Sequence, residues 1–254
     1  MRKELKIVSI SLMILVMTAC SATRKRSAER VTVITDAMAY RSLIEQVRSN
    51  NIAEDGFYVR KGKIEIEGTA IDGSYGFNAR YNTKGDLNAS VKGPLGIELL
   101  RLLSVNGKIY LVDRIGKTVY RGSTSVILTK YGLPDNVIAV IFGDLIGMEN
   151  ETYSISGRER IMIRGDMNNM QRQTDICVDE EKICEEIYKD QISGNEVLLR
   201  YNNFKNTEGK KYASLIYIEE KKKKVQIRIR IDELICGYEE EINFAMPSYR
   251  VRNL

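Results

Sequence analysis

The chain has 254 residues, a 43% apolar composition and 39 basic against 34 acidic side chains, for a net charge of +5. That apolar fraction supports a proper core, and the near balance of charge argues against nucleic acid as a partner. Histidine is absent, which removes the commonest general base, Ser–His and Cys–His pairs and imidazole metal sites.

The chain opens with Arg2, Lys3 and Lys6. An apolar run from Ile7 to Met17 comes next, broken only by Ser9 and Ser11, and then Thr18-Ala19-Cys20. A basic patch, a short apolar segment and small residues before a cleavage point describe a secretory signal peptide. The alternative is an uncleaved membrane anchor. As a helix the apolar run rises only about 16 Å, against a hydrocarbon core of about 30 Å, which favours the signal peptide. Cysteine at the first mature position resembles the lipobox of bacterial lipoproteins. That resemblance implies removal of residues 1–19 and lipidation of Cys20, so that several acyl chains hold the body on a bilayer. Residues 20–32 are then a lipidated N-terminus and a polar tether, in which Arg24, Lys25 and Arg26 add a weak attraction for anionic head groups. No second apolar segment is long enough to span a membrane.

Val33, Ala37, Tyr40, Ile44 and Val47 make one apolar stripe, which predicts a helix over 33–50 ending at Asn50-Asn51. The period then changes to two. Phe57 and Val59 are in one phase and Ile64 and Ile66 in the other, with Gly62 marking a bulge between them. Tyr75, Phe77, Ala79 and Tyr81 alternate with polar residues, and so do Leu87, Ala89 and Val91. Residues 97–105 and 109–112 flank Asn106-Gly107, a strong hairpin signal. Residues 113–116 turn the chain into a strand over 118–121. The pattern is an antiparallel meander.

Residues 123–147 interrupt it. Pro134 is suited to open a helix and Gly143 or Gly147 to end it. Residues 137–146 are apolar almost all round, so such a helix is buried on most sides or touches lipid. Short strands then resume to Ile231, with Val225, Ile227, Ile229 and Ile231 the cleanest alternation. In all, ten to twelve strands predict a mainly β fold, a curved antiparallel sheet or unclosed barrel occupying residues 33–254, with two helices over its concave face.

Cavity-forming sheets carry large apolar residues on the inner face. The candidates are Phe77, Tyr81, Leu87 and Val91, then Leu99, Leu103, Ile109 and Leu111, joined from the apolar segment by Val140, Ile141 and Ile146. A filled core uses the same residue types, so pattern alone leaves a packed barrel and a lipid cavity both open. The surplus of apolar surface on 137–146 argues for a hollow barrel with that helix as its lid. If Asp179–Lys182 is a hairpin loop, Cys177 faces Cys184 within disulfide reach, and an oxidising compartment permits the bond. Cys236 is then left over. No C-x-x-C spacing points to zinc, and no metal or cofactor is expected. Carboxylates such as Glu65, Glu67, Asp113 and Asp144 form no recognisable pair and read as solvated outward positions, so no catalytic residue and no enzyme is expected.

Three runs carry a family resemblance: Val91-Lys92-Gly93-Pro94-Leu95-Gly96-Ile97-Glu98-Leu99, Gly107-Lys108-Ile109-Tyr110-Leu111-Val112-Asp113 and Gly116-Lys117-Thr118-Val119-Tyr120. They resemble the middle of the LolB family of outer-membrane lipoproteins, which receive other lipoproteins from a periplasmic carrier. Leu133-Pro134 and the apolar segment to Gly147 resemble the next segment of that family. The chain is also similar to uncharacterised Bacteroidetes lipoproteins, whose closing strand residues 242–249 resemble. The resemblance implies an unclosed barrel with acyl chains inside it, a periplasmic carrier as partner, and a position on the periplasmic face of the outer membrane. Ser21 after the cysteine, by resemblance to enterobacterial sorting, disfavours retention in the inner membrane. A protruding loop that delivers lipid is also implied, and Pro94 and Leu95 stand at its place, with Leu95 either exposed or tucked back on its sheet. A filled scaffold that docks an envelope protein is the competing reading.

Overall fold

The computed structural model describes residues 37–254, apart from residue 70 and residues 132–133, 157–159 and 168–169. The signal segment, Cys20 and the tether lie outside the described residues. The first helix, α1 (Ala37–Ser49), leads into a meander of six strands: β1 (Phe57–Glu67), β2 (Gly73–Tyr81), β3 (Leu87–Lys92), β4 (Glu98–Val105), β5 (Lys108–Asp113) and β6 (Thr118–Ser123). Two helices come after it, α2 (Thr124–Tyr131) and α3 (Val137–Ile141). A second meander then runs through β7 (Glu149–Ser156), β8 (Arg160–Met167), β9 (Met170–Cys177), β10 (Lys182–Asp190), β11 (Glu196–Thr207), β12 (Lys210–Glu220) and β13 (Val225–Cys236).

β13 pairs antiparallel with β1, so the meanders fuse into one fourteen-stranded sheet. The sheet is curved and open, with more strands than the ten to twelve expected. Its edges are β7 and the last strand, β14 (Arg250–Asn253), which lies parallel to β6. Asn106 and Gly107, both at positive φ, make the tight β4–β5 turn as expected. In β1 the register shifts between Val59 and Gly62. The Phe77 ring lies over Gly62, where a Cβ would come within 2.2 Å of it.

The apolar segment 137–146 is helical only in its first half. Pro134 does not begin a helix; α3 starts three residues later and is only five residues long. It ends where Gly143, at φ 72°, donates its N–H to the Val140 carbonyl. Residues 242–249 are not a closing strand. They belong to an irregular strap that crosses the outer face, with Ile242 buried and Phe244 stacked under Arg101 at 4.8 Å.

The helices lie on the inner face. Ile44 and Val47 of α1, and Ala139, Val140, Phe142 and Leu145 in and after α3, share one core with Phe57, Ile176, Ile183, Tyr201, Ile216 and Ile231. The second meander is therefore filled by the chain's own helices.

A buried polar knot holds that filling in place. The α1 end is closed by Asn50, whose side chain donates to the Gln46 carbonyl and to Glu181 O, both at 3.3 Å. The Asn51 side chain both donates to and accepts from the Leu145 backbone. The Asp144 carboxylate accepts from Ile52 N and Ala53 N, at 3.0 and 2.7 Å. Lys182 then reaches Asn50 O at 3.0 Å and Asp144 at 3.3 Å, with both charged side chains 1% exposed. Asp144 is thus a core residue rather than a solvated outward carboxylate. Burial pushes its carboxyl up and the Lys182 ammonium down.

Removing one partner leaves the other charge alone in the core. Asp144→Ala is expected to lower the unfolding free energy by roughly 3–5 kcal/mol, measured by urea denaturation. The paired change Asp144→Leu with Lys182→Met is expected to cost less than the single one.

Candidate functional site

Cross-strand partners share a face, so the register assigns the inner side of the first meander residue by residue. Phe77 opposes Val91, which opposes Leu100. Ala89 opposes Leu102, Leu102 opposes Leu111, and Leu111 opposes Tyr120. Tyr81 opposes Leu87, and Ser104 opposes Ile109. These residues continue the face that carries Phe57 and Val59, and hence the helix side of the sheet.

Coverage varies along the inner face: Ile218 and Ile227 of the second meander are half-buried, and Ala79 and Leu87 of the first are buried. On the second meander the inner residues Ile176, Ile183, Ile216 and Ile231 have no exposed surface at all. On the first meander Phe77, Val91, Leu100, Leu102, Ile109 and Leu111 are each only half-buried. α2 reaches this region at one end, where Ser104 meets Thr124 and a Cβ on Gly122 would lie 3.1 Å from Ile127. Beyond that lies an apolar strip along β2–β6.

Six of the expected inner-face residues lie on this side: Phe77, Tyr81, Leu87, Val91, Ile109 and Leu111. Leu103 does not. It opposes Asn88 and Tyr110, which puts it on the outer face, buried with Val112 and Val119 where the strap crosses. Leu99 sits at a bulge, between the pairs Val91–Leu100 and Lys92–Glu98, and packs beside Gly93. Val140 lies in the filled core, with Ile141 and Ile146 half-buried against it. The same core is bordered by Phe77, Tyr81 and Ala89 of the first meander. Leu100, Leu102 and Tyr120 are the inner residues that pattern reasoning missed.

Leu95 is 97% exposed at φ 62°, so the loop presents it to solvent rather than folding it back. Gly93 N donates to Ile97 O at 2.9 Å and closes the loop beneath it.

A second polar cluster sits where α3 meets the sheet. Arg172 pairs with Glu186, both fully buried, and donates to Ile146 O at 3.0 Å. Tyr188 lies 3.1 Å from the same carboxylate, and the Tyr201 hydroxyl is within reach of Glu186 at 3.1 Å and of Val140 O at 2.5 Å. Burial, helped by Glu186, pushes both phenols well above their ordinary range. These groups pin α3. Two clefts of about 250 and 470 Å³ have charged linings, with Glu65, Arg200, Tyr217 and Arg228 at the first and Arg164, Asp166, Gln173 and Lys189 at the second. No metal-binding group of three or more ligands occurs among the described residues.

Cys177 and Cys184 are joined as a disulfide, with Cα atoms 5.7 Å apart. The register differs from the expected one. Cys177 opposes Lys182, so the loop is 178–181, and Cys184 falls at a register shift between Ile183 and Glu185. Cys236 is free and buried.

No protein-family model and no curated protein matches this sequence. Solved structures match in fold. A LolA superfamily protein of Nitrosomonas europaea superposes with a TM-score of 0.50 at 12% identity, over 80% of this chain and 94% of that one. A domain from Vibrio parahaemolyticus, described as a putative outer membrane lipoprotein-sorting protein domain, gives 0.52 at 11% identity, over 80% and 95%. This chain has the LolA-type fold, an open β-sheet with helices on its inner face.

Burial pushes the Cys236 thiol up to about 11, so at pH 8 little of it is thiolate and it should resist alkylation in the folded protein. In a Cys20→Ser chain, unfolding without reductant should release one reactive thiol, and reductant should release three. Three without reductant would contradict the disulfide.

Proposed function

We propose that this protein is a lipid-anchored envelope lipoprotein that binds acyl chains, of a lipid or of another lipoprotein, along the inner face of β2–β6. Cys20 is the lipidation site, and the body faces the periplasm from the outer membrane. One observation carries the reading: six apolar inner residues in a row on β2–β5, Phe77, Val91, Leu100, Leu102, Ile109 and Leu111, are only half-buried, while Ile176, Ile183, Ile216 and Ile231 under the helices have no exposed surface. Each half-exposed leucine or isoleucine gains on the order of 1 kcal/mol when lipid covers what water now touches. A row of six side chains then supports useful affinity without one polar contact, which suits a chain that must be released again. The LolA-type fold supports the same reading by analogy. The partner that presents the acyl chain is a periplasmic carrier, and the Pro94–Leu95 loop helps pass it to the bilayer.

A scaffold role, in which the protein docks a partner and holds no lipid, draws on the filled second meander. The two readings separate in a binding assay. Fluorescent fatty acid should bind the Cys20→Ser chain, and Leu102→Asp with Leu111→Asp should weaken it at least tenfold while leaving the fold intact. Val140→Trp should instead cost roughly 1–3 kcal/mol of stability, because it overpacks a filled core. No saturable binding by the parent chain would leave the scaffold.

A further inference from the structure

Among the described residues nine large apolar side chains are well exposed, and five of them, Ile71, Leu95, Ile97, Ile115 and Ile192, stand at turns on one rim of the sheet. In a meander alternate turns share a rim. The strand order sets them in a row: Ile115 between β5 and β6, Leu95 and Ile97 between β3 and β4, and Ile71 between β1 and β2. The Lys221–Lys224 turn between β12 and β13 comes next, then Ile192 between β10 and β11. Among the described residues the opposite rim turns at Thr83-Lys84-Gly85, Asn106-Gly107, Val178-Asp179-Glu180-Glu181 and Glu208-Gly209, where no large apolar side chain is well exposed.

The tips are held stiffly. Asp113 Oδ1 accepts from Ile115 N and Gly116 N at 3.0 and 2.8 Å. Asp190 Oδ1 accepts from Ile192 N and Ser193 N at 2.8 and 3.2 Å. Asp72 accepts from Thr69 N at 2.6 Å, and the Thr69 hydroxyl accepts from Ile71 N at 3.1 Å. The side chains project far, with Leu95 97%, Ile192 90% and Ile115 75% exposed. Lys92, Lys117 and Lys224 on this rim have no salt bridge among the described residues, and the Asp113 and Asp190 carboxylates accept from their own turns.

We propose that this rim is a docking edge for an anionic bilayer leaflet, with the aliphatic tips below the head groups and the lysines among them. Neighbouring tips are separated by about two strand spacings, roughly 10 Å. Single aliphatic prongs divided by polar residues fit between lipids. A protein interface needs instead a contiguous apolar centre. The inference depends neither on acyl-chain binding by the inner face nor on lipidation of Cys20. It adds an orientation to both, because the β2–β6 strip then opens toward the membrane.

The test is cosedimentation of the mature Cys20→Ser chain with vesicles of phosphatidylethanolamine and phosphatidylglycerol. The parent should bind, and each of Ile71→Asp, Ile115→Asp and Ile192→Asp should weaken partitioning roughly tenfold. Lys117→Glu with Lys224→Glu should abolish the preference over phosphatidylcholine vesicles. Asn106→Asp on the opposite rim should change nothing. All variants should keep the parent's circular dichroism and its fatty-acid binding, which separates this rim from the inner face. Three results would overturn the proposal: a parent that ignores anionic vesicles, a triple rim variant that binds like the parent, or a parent dimer that the triple variant dissociates.

Discussion

The Asp144–Lys182 pair is the constraint on which the architecture depends. It joins three segments that are distant in sequence: the link from α1 into β1, the turn after α3 and the start of β10. Each backbone group it satisfies belongs to a helix end or a connection that would otherwise be buried unpaired. A carboxylate taking two main-chain N–H groups and an ammonium cannot shift without stranding charge in the core. The two helices are therefore fixed over the second meander, and Arg172, Glu186 and Tyr201 repeat the device on α3. Such pairs add little net stability compared with apolar packing, but they specify one arrangement.

That fixing has a consequence for the rest of the sheet. Helices tied to the second meander leave the inner residues Leu100, Leu102, Ile109 and Leu111 of β4 and β5 only half-buried on the same face. The strap of residues 237–249 makes the contrast sharper, because it protects the outer side of the first meander. There Ser90, Leu103, Val112 and Val119 are buried although they point away from the helices. The inner strip alone is left apolar and partly wet, bounded by α2 at one end and by the rim with Leu95 and Ile115 at the other. An acyl chain is a solute that matches a mainly apolar strip of this kind.

Much of this is legible in the sequence. Period-two alternation marks the β2, β3 and β13 strands, and Asn106-Gly107 marks the β4–β5 hairpin. The failures have physical causes. Residues 99–103 read Leu-Leu-Arg-Leu-Leu, apolar on both faces because the strap covers one and the helices' side faces the other. Alternation therefore cannot fix the phase, and it places Leu103 inward. β9 carries Arg172 and Thr174 on its inner face and so shows little apolar pattern. Their partner is the Glu186 carboxylate, 14 residues beyond Arg172 and invisible to any local rule. The long apolar run at 137–146 reads as one lid helix. In fact α3 has only five residues, and the chain after it is buried without regular structure around Gly143. Asp144, set among apolar neighbours, is the one signal in that run that a buried polar contact is needed.

The central claim is that one half of the inner face is filled by the protein itself and the other is left for lipid. Photolabelling with a diazirine-bearing fatty acid, with peptide mass mapping of the labelled chain, tests it most directly. The account predicts labels on inner residues of β3–β6, among them Leu100, Leu102, Leu111 and Tyr120, competed by unlabelled fatty acid. Competed labelling confined to β8–β12, or no competed label anywhere in the sheet, would contradict it.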